Sequence, residues 1–479
     1  MKDLFIQLTI VSGLALTSAC SSSDDELSNV RVDRNSELTW ESCSNHSSLQ
    51  CTNLDVHSNP ADTQSETISL ALNRLPSIQS ESEGIILINP GGPGGSGIEL
   101  LEELSSAGTL PQALRDKYDF IGFDPRGVGE SSSVDCSEFG STEINEYLTN
   151  DQAIDEFFEN QTAVAMSCEQ KYGGYLQRLG SQNVVHDMEA IRYASGADKI
   201  HYLGFSYGTR LGALYLQTYP ENSGHFVLDG SLRPESDVDS LIIGSVEAMQ
   251  ASLVSMLNDC NSLNPDCSGN LLLKKLEEKF SMLASNDRSE ELDVLAPLVY
   301  FASENPAVSP FILPPLYEYL QSDDITELRE IYQGGVNEFL DDGDDTTERA
   351  IMCADDSTRP TTSDLKKRLS DYNLLSDIFA EIYISQTGMC SGWPLSLNPL
   401  PAITTNQAPP ALVIGGTTDT LTLARWSEEM AQSIGGYYLE SNHIGHTIAF
   451  TGQSSCVDAI AEEFLLTGLQ PLASRCMSE

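Results

Sequence analysis

A buried strand that ends in a glycine-flanked serine and continues into a helix constrains the fold of this chain most. Residues 200–203 are apolar and predict a strand, and the Ala-, Leu- and Tyr-rich stretch after Gly208 predicts a helix. The turn between them reads Gly204-Phe-Ser-Tyr-Gly208. In a nucleophile elbow of this form, glycines let the backbone turn sharply and the serine hydroxyl is exposed at the end of a sheet. Ser206 is therefore the candidate nucleophile, and the next helix would point its positive N-terminal end at it.

Strands and helices alternate on both sides of this turn. Apolar runs at residues 85–88, 118–124 and 225–229 predict further strands, which is typical of a parallel sheet. From about residue 231 to 390 the pattern is that of amphipathic helices alone, and a buried strand returns at 411–414. We expect a mostly parallel sheet flanked by helices, with an inserted helical cap.

These changes of pattern divide the chain into five expected segments. The two halves of the sheet domain flank the helical cap, and a leader and a polar tether precede them. The expected bounds are 1–19 for a signal peptide, 20–36 for the tether, 37–230 for the first part of the core, 231–395 for the cap and 396–479 for the second part of the core.

A second glycine-rich turn, Asn89-Pro-Gly-Gly-Pro-Gly-Gly-Ser-Gly97, follows the strand at residues 85–88. It matches the dinucleotide-binding pattern G-x-G-x-x-G, but that pattern needs an acidic residue about 20 positions further on. Asp124 lies 27 residues past Gly97 and is followed by Pro and Arg, which suits ribose recognition poorly. We therefore interpret the turn as an oxyanion-hole loop, in which glycines let a backbone N–H approach the charge that develops beside Ser206.

A serine hydroxyl needs a base to take its proton, and the base needs a carboxylate to hold its tautomer. In α/β-hydrolases these groups follow the serine in the order acid, then histidine, on loops after late strands. Asp419 follows the strand at 411–414, and His443 and His446 follow the next one. We choose His446 because it follows Gly445 and opens the final helix; His443 and a simple helix-capping role for Asp419 are the alternatives.

The charge balance excludes one class of partner. The chain has 71 Asp and Glu against 25 Lys and Arg, a formal net charge of −46. Such a field repels nucleic acid and anionic lipid surfaces, so neither is an expected partner. There is no C-x-x-C pair, and no His lies at ligand spacing beside a Cys pair, so we expect neither a metal nor another cofactor.

The N-terminus has the pattern of an export signal. Lys2 precedes an apolar run at residues 4–16, which is too short to remain as a membrane anchor, and small residues follow up to Ala19. Leu16-Thr-Ser-Ala-Cys20 resembles a bacterial lipoprotein signal, in which the Cys becomes the lipidated first residue. Because Thr17 stands where a Leu is usual, ordinary secretion remains the alternative, and a lipid on Cys20 would be the only membrane contact.

The remaining cysteines suit an oxidising compartment. Ten are left, an even number, and the simplest connectivity pairs them in sequence order. The expected pairs are Cys43 with Cys51, Cys136 with Cys168, Cys260 with Cys267, Cys353 with Cys390, and Cys456 with Cys476.

From about residue 38 to its end, the chain resembles secreted α/β-hydrolase peptidases related to tripeptidyl aminopeptidases and, more distantly, to prolyl iminopeptidases. The resemblance rests on the two glycine-rich turns and on four further motifs, Asp124-Pro-Arg-Gly-Val-Gly129, Val227-Leu-Asp-Gly230, Cys390-Ser-Gly-Trp-Pro394 and Gly415-Gly-Thr-Thr-Asp419. It implies an α/β-hydrolase fold and peptide substrates cleaved near a free N-terminus.

The resemblance also implies roles for single residues. Ser206 would be the nucleophile, Asp419 and His446 its partners, and N–H groups near Gly92 and of Tyr207 the oxyanion hole. Asp355, in Ala350-Ile-Met-Cys-Ala-Asp-Asp356, would anchor the substrate amine. The sequence departs from its relatives after Asp419, where a turn with Pro is more usual.

Three functions are consistent with these residues. The first is an exported serine exopeptidase that acts through an acyl-enzyme on Ser206. The second is an esterase or other acyl hydrolase with the same triad. The third is a non-enzymatic surface lipoprotein, which would have no need to keep the serine, aspartate and histidine together.

Overall fold

The structure is a computed structural model that describes residues 38–79, 81–140, 147–148, 150–235, 238–285, 290–336 and 346–477. The expected signal peptide, the tether and Cys20 lie outside these residues.

Ten strands form one sheet through the centre of the molecule. They are β1 (Glu41–Ser42), β2 (Gln50–His57), β3 (Thr67–Leu75), β4 (Gly84–Asn89), β5 (Tyr118–Phe123), β6 (Ile200–Phe205), β7 (Ser223–Asp229), β8 (Leu412–Gly416), β9 (Tyr437–Ser441) and β10 (Arg475–Cys476). Their order across the sheet is β1-β2-β3-β5-β4-β6-β7-β8-β9-β10. The pairs β1–β2, β2–β3 and β3–β5 are antiparallel and the others are parallel, so the carboxyl ends of β4 to β9 meet at one edge.

The helices lie on both faces of this sheet and above its carboxyl edge. They are α1 (Gly97–Ala107), α2 (Gln112–Lys117), α3 (Asp151–Tyr172), α4 (Ser181–Ala194), α5 (Tyr207–Thr218), α6 (Val238–Asn258), α7 (Gly269–Ala284), α8 (Leu292–Glu304), α9 (Ser309–Ser322), α10 (Thr326–Ile331), α11 (Thr346–Asp355), α12 (Thr362–Tyr372), α13 (Ala380–Gly388), α14 (Ala424–Ile434) and α15 (Ser455–Thr467).

Side chains of the parallel strands alternate between the two faces of the sheet, as period-2 geometry requires. Leu87 and Leu228 pack with α4, α5 and α14 in one apolar core. Ile88 and Val227 pack with α1, α2 and α15 in a second core on the other face. Both faces are therefore buried, which explains the continuous apolar runs of these strands.

The inserted helices have an apolar core of their own, formed by α6 to α10, α12 and α13. Two features depart from the expected cap of 231–395. Ile154 and Phe157 in the first half of α3 pack in this cap core, although α3 precedes the sheet strand β6. In α11, Ala350 and Ile351 pack in the core of the sheet instead. Sequence periodicity shows that a helix is amphipathic but not which core covers its apolar face, so neither contact could be read from it.

Five disulfides join the ten cysteines in sequence order. The pairs are Cys43–Cys51, Cys136–Cys168, Cys260–Cys267, Cys353–Cys390 and Cys456–Cys476. Disulfides in this number are typical of proteins that work outside the reducing cytosol. The chain is therefore extracytoplasmic.

One helical stretch in the described part of the chain, Val238–Ser262, is long and apolar enough to cross a membrane. It contains α6, and Val246, Met249 and Leu253 on that helix are buried in the cap core. Its apolar composition is thus explained by packing against neighbouring helices.

Candidate active site

The candidate nucleophile lies in a strained turn at the carboxyl edge of the sheet. β6 ends at Phe205, α5 begins at Tyr207, and Ser206 between them has φ 52° and ψ −125°. An L-residue rarely adopts a positive φ, and such strain collects at functional positions. The backbone at the elbow leaves no room for a side chain at Gly204. A Cβ atom built on this residue would lie 2.7 Å from the carbonyl oxygen of Gly208, which is too close for a real side chain.

Asp419 and His446 form a hydrogen-bonded pair on the loops after β8 and β9. Nδ1 of His446 lies 2.8 Å from Oδ2 of Asp419, whose side chain is 1% exposed. The other carboxylate oxygen accepts from the backbone N–H groups of Leu421 and Thr422, both at 2.9 Å. The hydroxyl of Thr422 donates to Oδ2 at 2.8 Å and lies 3.2 Å from Nδ1 of His446. The aspartate is thus held as an acceptor with one oxygen directed at the imidazole.

The end of β7 brings this pair to the elbow. The N–H of Ser206 donates to the carbonyl oxygen of Asp229, 2.9 Å away. The next residue, Gly230, has φ 67°, and a Cβ atom on it would lie 3.2 Å from Cε1 of His446. The nucleophile and the imidazole therefore both lie next to the Asp229–Gly230 segment at the sheet edge. His443, in contrast, has its Nδ1 3.0 Å from the hydroxyl of Ser441, and Asp419 is paired with His446.

Three carboxylates surround the imidazole of His446. Burial alone would lower the pKa of His446, but its hydrogen bond to Asp419 and the charges of Asp419, Asp229 and Glu304 raise that pKa above its usual value. Asp229 is fully buried, and burial raises its pKa to about 6 although it accepts from the N–H groups of Ile448 and Ala449. Such an imidazole can accept a proton near neutral pH and hold it as a cation.

Glu304 brings a carboxyl group from the cap to the triad. It is the last residue of α8, its backbone oxygen accepts from the hydroxyl of Thr420 at 3.0 Å, and its side chain is half-buried. Burial raises the pKa of Glu304 to about 7, and the charge of His446 and a hydrogen bond from Asn305 act in the opposite direction. Nothing in the sequence distinguishes Glu304 from the many other acidic residues of the cap, because the residue on which its charge acts, His446, lies about 140 residues further along the chain.

The second glycine-rich turn packs directly against the elbow. A Cβ atom on Gly91 would lie 2.5 Å from the carbonyl oxygen of Phe205 and 2.7 Å from the nitrogen of Tyr207. Gly92 follows it with φ 99°. The N–H of Tyr207 and the segment at Gly91 and Gly92 therefore lie side by side, as an oxyanion hole requires.

Asp124, the residue weighed for ribose binding, supports this loop instead. One of its oxygens accepts from the hydroxyl of Ser96 at 2.5 Å, and the other accepts from the N–H of Glu130 at 3.0 Å. The carboxylate is 2% exposed. Its hydrogen-bonding capacity is used within the protein, which disfavours the dinucleotide interpretation further.

Asp355 does not have the surroundings expected of an amine anchor. One oxygen accepts from the N–H of Ser181 at 2.7 Å, and the other accepts from the hydroxyls of Ser181 and Tyr207 at 2.7 and 2.6 Å. The residue is 4% exposed. A substrate ammonium could reach it only by displacing these groups, which disfavours that role. Asp355 does lie next to the disulfide of Cys353, as expected, but it faces the helix behind the nucleophile.

In the described ranges, no group of three or more His, Cys, Asp or Glu side chains is arranged to hold a metal ion.

Comparison with known proteins gives matches in both halves of the sheet domain. A family model described as alpha/beta hydrolase fold matches residues 84–265, and one described as TAP-like protein matches residues 376–476. Serine protease Hip1 of Mycobacterium tuberculosis is 27% identical over 443 residues, which cover 85% of this chain and 83% of that protein.

Two further relatives differ in their named activities. Tripeptidyl aminopeptidase of Streptomyces coelicolor is 33% identical over 211 residues, which cover 42% of this chain and 39% of that protein. A Mycobacterium tuberculosis protein named carboxylesterase B is 26% identical over 483 residues, which cover 92% of this chain and 90% of that protein. The sheet topology and these matches together show an α/β-hydrolase fold, and the chain is similar to serine peptidases of this fold with a TAP-like C-terminal region.

Proposed function

We propose that this hydrolase is an extracytoplasmic serine exopeptidase that cleaves peptides near a free N-terminus. The observation that carries the proposal is the Asp419–His446 pair beside the elbow of Ser206, with a cap carboxylate facing it. The peptidase relatives support the substrate class. Peptides are therefore the partners that we assign to the site.

The reaction would proceed in two halves through an acyl-enzyme. Nε2 of His446 takes the proton of the Ser206 hydroxyl as its oxygen attacks the scissile carbonyl, and Asp419 at Nδ1 stabilises the imidazolium. The N–H of Tyr207 and an N–H of the Gly91–Gly92 segment receive the oxyanion. His446 then gives the proton to the leaving amine, and a water molecule repeats the sequence on the ester.

Glu304 is the carboxylate that we assign to the substrate amine in place of Asp355. It lies at the end of a cap helix, it is half-buried, and its charge acts on His446. A bound ammonium would favour the ionised form of this carboxyl group and would pair with it in a site of low water content. A fixed distance from Glu304 to Ser206 would then define how many residues are released from the N-terminus of the substrate peptide.

An esterase is the second candidate, because a relative that spans most of the chain is named carboxylesterase. The triad and oxyanion hole serve either acyl group, so only the groups that recognise the substrate distinguish the two functions. A cap carboxylate beside the triad favours a substrate with an amine.

Export with a cleaved signal and a lipid on Cys20 is the finer localisation that we propose. The five disulfides support an oxidising compartment, and the sequence before Cys20 supports lipidation. Intact mass of the mature protein tests it: a chain that begins at Cys20 with a diacylglyceryl increment is expected, and an unmodified N-terminus would contradict lipidation.

A substrate panel tests the activity. Chromogenic amides of one, two and three residues, each with a free and an acetylated N-terminus, would be compared with short esters for the wild type and Ser206→Ala. We expect turnover of free-amine amides, little cleavage of acetylated ones, and loss of about 10³-fold or more in kcat for Ser206→Ala. Equal cleavage of free and acetylated amides would contradict the exopeptidase, and hydrolysis of esters alone would establish the esterase.

A further inference from the structure

Helix α11 contacts both segments of the proposed oxyanion hole. Near its beginning, a Cβ atom on Gly94 would lie 3.5 Å from the nitrogen of Glu348 and from Cγ2 of Thr347. At its end, the carboxylate of Asp355 accepts from the hydroxyl of Tyr207 at 2.6 Å. The glycine-rich loop and the residue after the nucleophile thus rest on one ten-residue helix.

The helix is fixed to its surroundings along its whole length. The hydroxyl of Thr347 donates to the carbonyl oxygen of Val134 at 3.1 Å, and the buried Arg349 donates to the carbonyl oxygen of Met389 at 2.6 Å. Cys353, two residues before the C-terminal end, is bonded to Cys390. A helix held in this way can define the position of whatever its ends touch.

Asp355 is the centre of a buried polar group behind the elbow. Its carboxylate binds the N–H and hydroxyl of Ser181 and the hydroxyl of Tyr207, and the two hydroxyl oxygens are 2.6 Å apart. Arg210, 2% exposed on the same helix as Tyr207, acts on the carboxylate through its charge. Among the described residues, Nε and Nη2 of Arg210 have no hydrogen-bond partner, so the carboxylate is its source of charge compensation.

We propose that Asp355 is a positioning residue for the oxyanion hole, acting through Tyr207; this inference rests on the proposed acyl transfer at Ser206. The carboxylate holds the phenol of Tyr207 and so fixes the peptide unit between Ser206 and Tyr207, whose N–H faces the substrate oxygen. Hydrogen-bond donors of an oxyanion hole act only when they are aimed at the charge that develops in the transition state. The effect of Asp355 should accordingly fall on kcat and leave ground-state binding almost unchanged.

The test compares Asp355→Asn, Tyr207→Phe and their double variant with wild type. Each protein is titrated with an organophosphonate, and the fraction of chains carrying the adduct, measured by intact mass, gives the concentration of active sites. We expect Asp355→Asn to lower kcat per active site by about 10- to 100-fold, with KM within about threefold, because a misplacement of about 1 Å can cost 100-fold. Tyr207→Phe should act in the same direction, and the double variant should lose little more than the larger single loss.

Matched measurements separate positioning from other roles. Asp356→Asn changes the neighbouring carboxylate, which accepts from Thr358, and should leave kcat unchanged. The losses should appear equally on free-amine amides and on esters without an amine. A rise in KM confined to free amines would restore Asp355 as the anchor, and an unchanged kcat per active site would reduce it to a support of the fold; either result overturns the proposal.

The two proposals fail in different ways. Absence of peptidase activity in the wild type, with normal ester turnover, would contradict the exopeptidase but leave the positioning test intact on esters. If Asp355→Asn does not fold, Tyr207→Phe, which loses a single oxygen, decides the question on the same criteria.

Discussion

At the scale of single residues, Thr422 connects the acid and the base of the triad. Its hydroxyl donates to the Asp419 oxygen that also faces His446, and it lies 3.2 Å from the imidazole nitrogen. Two donors on one carboxylate oxygen restrict its rotation. The orientation of His446 toward Ser206 therefore depends on a side chain that does not itself contact the reacting atoms.

Replacement of that hydroxyl by a methyl group tests this dependence. Thr422→Val should lower kcat by about 10-fold or more, because the carboxylate loses a charge-assisted hydrogen bond in a buried site. With one donor fewer, Asp419 attracts the imidazole proton more strongly, so the pKa of His446 should rise and the acid limb of kcat/KM should shift to higher pH. Thr418→Val, whose hydroxyl donates to the backbone of His443, is the matched control. An unshifted pH profile for Thr422→Val would contradict the argument.

The carboxyl group of Glu304 predicts a pH dependence of stability. Burial raises the pKa of Glu304 to about 7, from an ordinary value of 4.5. The pKa of this carboxyl group is therefore higher in the folded than in the unfolded chain. The folded state becomes progressively less stable as pH rises from about 4.5 to about 7, because the group ionises more readily in the unfolded chain. Glu304→Gln should therefore have little effect on the free energy of unfolding at pH 4.5 and should be more stable than wild type at pH 8, by about 1 to 3 kcal/mol.

Denaturant unfolding of both proteins across this pH range checks that difference. If the Glu304→Gln difference did not grow with pH, the carboxyl group would not be held in its neutral form by burial.

The sequence identified Ser206, Asp419 and His446 as candidates, because a local motif and chain order are enough to select them. It did not identify Thr422 or Glu304, whose importance comes from contacts made only in the folded chain. The sequence also selected Asp355, and its role as an amine anchor stays a prediction: the proximity of Cys353 was visible, whereas the hydrogen bonds from Ser181 and Tyr207, which disfavour that role, were not.

At the scale of elements, the glycine-rich loop is shaped by how closely it approaches the elbow. Gly91 has φ 97°, and any Cβ on it would overlap the backbone at Phe205 and Tyr207. Backbone atoms cannot move aside as flexible side chains can. The loop and the elbow therefore act as one unit, and a change in the loop is transmitted to the candidate nucleophile.

A methyl group at residue 91 should push the glycine-rich loop and the elbow apart. Gly91→Ala should lower kcat by about 100-fold and reduce thermal stability, since strain of about 1 to 2 kcal/mol at a positive φ adds to the overlap. Gly108→Ala is the matched control, because Gly108 has φ 67° but nothing within 4 Å of an added Cβ. It should show the loss in stability without the loss in kcat. Near-normal kcat in Gly91→Ala would place the elbow out of contact with the loop.

The strands of the sheet were predictable for a related reason. The central parallel strands β4 to β8 are buried on both faces and read as apolar runs, whereas the two-residue strands β1 and β10 are too short to give a pattern. The cap helices were recognisable as helices, but their partners were not. The first half of α3 packs into the cap core, and α11 packs into the sheet core. These partners could not be predicted, because each contact joins segments that are far apart in the sequence.

At the scale of the whole molecule, the disulfide between Cys353 and Cys390 links the middle of the insertion to its exit. It closes a loop with a sequence separation of 37, whereas Cys260 and Cys267 in the cap are separated by 7. Longer loops lose more conformational entropy in the unfolded chain when they are closed. The two bonds should therefore contribute differently to stability.

Paired serine variants test this difference. Cys353→Ser with Cys390→Ser should reduce the free energy of unfolding by about 3 to 4 kcal/mol and lower kcat, because α11 loses its tie beside Asp355. Cys260→Ser with Cys267→Ser should cost about 2 kcal/mol and leave kcat unchanged. Denaturant unfolding and active-site titration measure both effects. Equal effects of the two pairs on kcat would mean that the first bond does not support the site.

The packing of α11 against the sheet core determines what can reach the triad. The insertion leaves the sheet after β7, returns to it at α11, and returns again before β8, so it is attached at three places and not on a single hinge. Attachment at three places restricts rotation of the cap as a single body, so we expect it to admit a folded protein surface poorly. A loose chain end would then reach the triad more readily than a loop held at both ends. Selection for the ends of substrate chains would thus begin with access to the triad, before any group on the substrate is recognised.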